Sequence, residues 1–139
     1  MDTDSARELF YSARVARLAT MSPRGPHLVP VVFAVIGNRI VSAVDHKAKT
    51  TTRLARLANI AADPRVCVLT DHYDDDWNAL WWVRADGLAR VVDTEQAADA
   101  VAALVAKYPQ YAERSPVGPV VEVDVTRWSG WHAQQRQGQ

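Results

Sequence analysis

The chain has a single cysteine, Cys67, so no disulfide can form within it, which suits a reducing compartment. No apolar run approaches the ~20 residues that a membrane-spanning helix requires. The opening segment MDTDSARELF carries acids where a secretory signal needs an apolar stretch. These absences predict a cytoplasmic protein with no membrane partner. Net charge is lacking too, because 16 Lys and Arg balance 16 Asp and Glu. The broad positive field of a non-specific nucleic-acid binder is therefore missing, and any basic site must be local. GxGxxG and GxxxxGK do not occur, against Rossmann and P-loop phosphate sites. GxSxG is absent as well, and the four histidines lack the HxxxH or HExxH spacing of a zinc site.

What is present fits one domain. The 139 residues are 48% hydrophobic and 23% charged, ordinary globular values. Residues 1–133 read as a single unit, and residues 134–139 as a flexible tail. Asp4 or Ser5 is expected to cap a helix running to about Ser12. Val15 to Met21 reads as a strand, and Ser22-Pro23-Arg24-Gly25-Pro26 as a turn. The run HLVPVVFAVI, His27 to Ile36, reads as one strand covered on both faces. Pro30 removes a ladder donor, which places it at an edge or a bulge. Gly37-Asn38 is a hairpin signal before a returning strand, Arg39 to Val44.

Thr50 to Ala61 switches to helical period, and Asp63-Pro64 ends it. Arg65 to Thr70 is a strand, followed by an acidic loop, Asp71 to Asn78. Leu80 to Val92 fits either a hairpin turned at Ala85-Asp86-Gly87 or one long bulged strand. Thr94 is expected to cap a helix that Pro109 stops after Lys107. Val117 to Trp128 alternates as a last strand, with Val121, Val123 and Val125 on one face and Glu122, Asp124 and Thr126 on the other. Short strands joined mainly by hairpins, with few helical excursions, predict a mainly antiparallel barrel with peripheral helices.

The segment that points to chemistry is Asp45-His46-Lys47-Ala48-Lys49-Thr50-Thr51-Thr52-Arg53-Leu54-Ala55-Arg56. Lys47, Lys49, Arg53 and Arg56 surround the start of a helix, where the dipole disfavours cations. Hydroxyls from the threonines stand beside the orphan N–H groups of the first turn. Together they can cradle an anion, and Arg53 and Arg56, three apart, can face one ligand. The plainer alternative is a solvated basic face with Thr50 as an N-cap. Other candidates carry less. Cys67 between Val66 and Val68 reads as a buried inert thiol. Asp74 cannot open an EF-hand loop, since Ala79 and Ala85 occupy its glycine and bidentate positions. Trp81 and Trp82 fall on opposite strand faces, one for the core and one for a partner or ligand. No acid–base constellation is evident, which fits an enzyme whose cofactor carries the reactive atom.

In order and spacing, Arg17-Leu18-Ala19-Thr20, Pro26-His27-Leu28-Val29-Pro30-Val31-Val32-Phe33 and the segment ending in Lys49 are similar to the pyridoxamine-phosphate-oxidase-like split barrels. So are Asn59-Ile60-Ala61-Ala62-Asp63-Pro64-Arg65-Val66, Trp82-Val83-Arg84-Ala85-Asp86-Gly87-Leu88-Ala89-Arg90-Val91 and Trp128-Ser129-Gly130-Trp131. The chain particularly resembles the actinobacterial F420-dependent flavin/deazaflavin oxidoreductases of the B group. The resemblance implies a six-stranded split β-barrel that forms a homodimer, with cofactor sites between subunits. It implies a reductase moving a hydride from coenzyme F420 to a small-molecule substrate, unsaturated or conjugated. Pro30, Val31 and Val32 would lie against the ring, and Ser42, Ala43 and Val44 would offer backbone contacts to its edge. Lys49 would hold the phosphate, helped by Lys47, Thr50, Arg53 and Arg56, while Trp82 would line the groove. It also favours one long strand over the hairpin at Leu80 to Val92. FMN-using relatives often have Ser-Arg-Lys where this chain has Lys47-Ala48-Lys49, and the added basic residues suit the phosphate and glutamate carboxylates of F420. FMN is the alternative cofactor, and a non-catalytic cofactor- or haem-binding module the alternative role.

Overall fold

The computed structural model describes the backbone of residues 1–44 and 51–133 and, outside residues 51–54, their side chains. Helix α1, Thr3–Ser12, begins earlier than expected, because Asp2 rather than Asp4 or Ser5 is the cap. The Asp2 carboxylate accepts from the Ser5 N–H at 2.7 Å, which leaves Asp4 in the first turn, where the dipole favours an acid. Its inward face carries Phe10, fully buried, edge-on to Phe33 and Trp128 with ring centroids 5.0 and 5.2 Å away.

Strand β1 is Ala16–Ser22 and β2 is Gly25–Val31. Their turn is tight because Gly25 adopts φ +107°, and the Ser22 hydroxyl donates to its carbonyl at 2.6 Å. Then follow β3, Ala34–Ile36, and β4, Arg39–Ala43, around the hairpin at Gly37-Asn38. Helix α2 is Thr51–Ala62, and β5 is Arg65–His72. Strand β6, Trp81–Val92, is one long strand with a register shift between Asp86 and Gly87, as the family likeness implied and the hairpin alternative did not. Helix α3 is Ala98–Lys107, preceded by a single 3-10 turn at Thr94–Gln96. Thr94 therefore opens that turn and does not cap α3. The helix does stop at Lys107 as expected, and Pro109 opens a short helix α4, Pro109–Glu113, at a position where a missing N–H costs nothing. Strand β7 is Val120–His132. No helix among the described residues is long and apolar enough to cross a membrane.

All strand pairs are antiparallel, in the order β2-β1-β5-β6-β7-β4-β3. The two edge strands, β2 and β3, are consecutive in the chain. Only Val32 and Phe33 lie between them, a link that spans at most roughly 11 Å between its flanking Cα atoms. The two ends of the sheet must therefore meet, and the sheet closes on itself as a split barrel. The strands number seven rather than six, because His27 to Ile36 passes from one edge to the other and breaks at that joint. Pro30 sits on the free side of the β2 edge, where its missing donor is not needed.

The barrel interior is filled by Leu18, Phe33, Ile40, Val66, Val68, Val83, Val121 and Val123, closed by Phe10 and Trp128. A second apolar cluster packs α3, through Ala100 and Leu104, on the outside of β3 and β4. The alternation in β7 holds, but its polar face is not simply solvated. Glu122 is buried and accepts from Arg39 at 2.7 Å and Arg90 at 2.8 Å. Arg39 reaches on to Asp99 and Arg90 to Asp124, so ion pairs tie β4, β6 and β7 to α3.

Candidate functional site

Three regions carry the residues singled out above. The first is the joint between β2 and β3. Val32 has left the β2 ladder, and its carbonyl accepts the Ser42 hydroxyl at 2.7 Å. This bond ties the end of β2 to β4, so Val31, Val32, Ser42, Ala43 and Val44 meet at one place. Ser42, Ala43 and Val44 are buried, and the Val44 N–H donates to the Pro119 carbonyl at 2.8 Å. Pro30 lies one residue earlier, exposed on the outer side.

The second region begins where β4 ends. Lys47, Lys49 and Thr50 lie outside the described residues, as does the side chain of Arg53. Arg56, on α2, is buried at 8% exposure, so it is not part of a solvated basic face. Helix α2 lies on the barrel through Leu57 and Ile60. Its Asn59 side chain donates to the Thr20 hydroxyl at 3.1 Å, which fixes the helix to β1.

The third region is a groove of about 580 Å³ on the outer face of β2, β1, β5 and β6. Side chains alternate in a strand, and the register puts Arg17 beside Leu69 and Leu69 beside Arg84, with Ala19 beside Cys67. Trp82 and Leu28 complete the floor. Arg17 faces Asp71 at 3.6 Å and Arg84 faces Asp86 at 3.4 Å, so cations and acids alternate along the rim. Trp82 lines this outer groove. Within one chain, however, it is separated from Pro30 by β1 and β5, three strand spacings or roughly 14 Å. Cys67 lines this groove half-buried instead of sitting in the core, and burial pushes its thiol up, which keeps it the inert thiol expected. Sequence spacing could not have disclosed the groove, because four strands must be set in register before its residues become neighbours.

Around the joint stand residues that the sequence did not single out. Tyr108 is buried, and its hydroxyl meets both polar groups of the Phe33 backbone. It accepts the Phe33 N–H at 3.0 Å and lies 2.8 Å from the Phe33 carbonyl and 3.0 Å from that of Arg14, either of which can take its proton. Burial pushes the Tyr108 phenol up. Lys107 donates to the carbonyls of Ala13, at 2.7 Å, and Tyr11, and its Nζ stands 3.8 Å from the Phe33 ring centroid. Burial, reinforced by Arg14, pulls Lys107 down to about 8, against the carbonyls and ring face that favour its ammonium form.

Solved structures share this architecture. A conserved hypothetical protein of Mycobacterium tuberculosis aligns with a TM-score of 0.75 at 24% identity, over 95% of this chain and 85% of its own. An FAD-binding protein of Mycobacterium smegmatis aligns at 0.67 and 21%, over 97% and 98%. A haem-binding protein of the same organism aligns at 0.73 and 24%, over 94% of this chain and 54% of its own length. At these identities the likeness establishes the fold alone. No curated protein sequence matches the chain significantly. The family pattern of pyridoxamine 5'-phosphate oxidase matches residues 2–132, nearly the whole length. With its closed antiparallel sheet, joined at Val32 and Phe33, the chain belongs to the pyridoxamine 5'-phosphate oxidase family.

Proposed function

We propose that this chain is a cytoplasmic F420-dependent reductase, working as a homodimer on a small unsaturated or conjugated substrate. The observation that carries the proposal is the Ser42–Val32 bond at the joint. It holds the two strand segments assigned to the ring side by side, and the basic segment follows directly on Val44. A ring against Pro30, Val31 and Val32 would have its phosphate tail within reach of Lys47, Lys49, Thr50, Arg53 and Arg56. The donor set fits such a tail: hydroxyls and cations precede the first turn of α2, and Arg56 is already withdrawn from water. Buried Ser42, Ala43 and Val44 would keep water from the ring edge. Bound F420 supplies the hydride, so the protein's part is to bind, orient and exclude solvent. Trp82 belongs to the outer groove, and it would meet a cofactor held by a second subunit docked on that face.

A flavin is the second reading, favoured by the FAD-binding protein among the similar structures. FMN would need the same phosphate cradle. A haem-binding role has a likeness behind it as well, and would need one of the histidines as axial ligand.

Titration of purified protein with F420, FMN, FAD and haem separates these readings. The expected result is a shift of deazaflavin fluorescence at micromolar protein, from a colourless preparation. A yellow preparation, or tight haem binding with no response to F420, would replace the first reading. Lys49→Ala and Arg53→Ala are each expected to weaken F420 binding by about 1–3 kcal/mol, the range for a charge-assisted contact. Unchanged affinity in the double variant removes the assigned phosphate site.

A further inference from the structure

The joint at Val32–Phe33 is the one place where the sheet changes from its first edge to its last, and there the ladder supplies no partner for the Phe33 backbone. Phe33 is fully buried, so an unpaired N–H or carbonyl at this point would be costly. Both groups meet a single atom, the Tyr108 hydroxyl, 75 residues away at the end of α3, which accepts the N–H and is placed to donate to the carbonyl at 2.8 Å. The neighbouring Val32 carbonyl is held from the other side by the Ser42 hydroxyl. Two side-chain hydroxyls thus clamp consecutive residues of the link.

We propose that Tyr108 is a positioning residue for the cofactor site: through Phe33 it fixes where the Val31–Val32 end of β2 stands against the bound ring. This rests on the assignment of that strand end to the ring under the function proposed above. Tyr108 itself needs no contact with cofactor. It is well placed to transmit position rather than only to add stability, since its hydroxyl meets the link itself. Lys107 and Arg14 hold the surrounding pieces. Lys107 pins the C-terminal end of α1 through the Tyr11 and Ala13 carbonyls, and Arg14 stacks its guanidinium 4.8 Å from the Tyr108 ring centroid while donating to the Lys107 carbonyl.

The test compares Tyr108→Phe with Leu104→Ala in the full chain, each titrated with F420 and with FMN. Leu104 is fully buried in the same α3 cluster, and its truncation lowers stability without touching the polar groups of the link. Tyr108→Phe is expected to raise the Kd of whichever cofactor the wild type binds by about tenfold, the scale of one lost buried hydrogen bond. The bound cofactor's absorption bands should also move toward those of the free form. Leu104→Ala is expected to lower Tm while leaving Kd and the bound spectrum unchanged. Equal binding and an unaltered spectrum in Tyr108→Phe overturn the inference, and so does an equal shift in both variants, which would make the effect one of stability alone. Should Tyr108→Phe not fold, Arg14→Ala, which removes the guanidinium stacked on the Tyr108 ring and touches no residue assigned to the cofactor, is read in the same way. Failure of the proposed function shows in the wild type, which would not respond to F420; failure of the positioning role shows only in the variants, read with whichever cofactor the wild type binds.

Discussion

Thr20 and Thr70 are both buried threonines on the inner face of the barrel, at 2% and 0% exposure. They differ in one hydrogen bond. The Thr20 hydroxyl accepts from Asn59 Nδ2 at 3.1 Å, whereas the Thr70 hydroxyl has no partner among the described residues. A buried hydroxyl without a partner keeps its desolvation cost, and an apolar group of the same shape does not. Thr70→Val is therefore expected to raise stability by about 1 kcal/mol. Thr20→Val is expected to lower it by about 1–3 kcal/mol, because Asn59 would be left with an unpaired buried amide. Urea denaturation of the two variants checks this; the same sign of change in both would show that volume and not hydrogen bonding decides at these positions. Neither assignment was available from sequence, where Thr20 and Thr70 look alike as polar interruptions of apolar strands. Their difference lies in whether α2 lands above them.

Among the elements, β6 shows how a strand this long can serve a closed sheet. Its twelve residues all pair with β7 along one side, and Trp81 to Leu88 pair with β5 along the other. The register shifts between Asp86 and Gly87, the place where a bulge adds bend and twist. At Gly87 a Cβ would collide with the Asp124 carbonyl oxygen and come within 2.8 Å of Val123 Cγ1, both belonging to β7. The glycine is required by close approach of two backbones. Gly87→Ala is expected to cost about 1–3 kcal/mol, the range for overpacking a tight site, read as a lower denaturation midpoint with an unchanged m-value. A midpoint equal to that of the wild type would mean that β7 yields easily there. Ala85-Asp86-Gly87 was the hairpin signal in the sequence, but β6 runs straight through it with pairing on both sides, and the extra residue of the irregularity, Thr126, lies on β7. A similar override broke His27 to Ile36 into two strands. The continuous apolar run predicted cover on both faces, yet Leu28 and Pro30 are exposed on the outer side of β2; it also missed the break, since the partner that makes the break tolerable is Tyr108, far along the chain. The basic run before α2 stands out in composition alone. The outer groove does not, because it exists only after four strands align.

At the scale of the molecule, no layer of the described residues covers the outer face of β2, β1, β5 and β6, while α1 and α2 close the barrel and α3 covers β3 and β4. Leu28 is 65% exposed on it, and Leu69, Cys67 and Trp82 form an apolar floor. Single exposed apolar residues are ordinary, but a contiguous patch rimmed by polar groups marks an interaction site. The rim alternates Arg17 with Asp71 and Arg84 with Asp86, so the face is complementary to itself, as a two-fold interface requires. A cofactor site shared between subunits would need a second copy to bring its joint toward this chain's Trp82, which a single chain leaves roughly 14 Å from Pro30. The wild type is thus expected to sediment at twice its 15.4 kDa chain mass. Leu69→Glu, a charge at the centre of the floor, should convert it to monomer with little loss of fold, since Leu69 points away from the barrel interior. If cofactor sites are shared between subunits, the same variant should also lose cofactor affinity. Dilution of the wild type through its dimer dissociation range should weaken binding in parallel. A wild type that sediments as a monomer would leave the face uncovered and return Trp82 to a role outside the cofactor site.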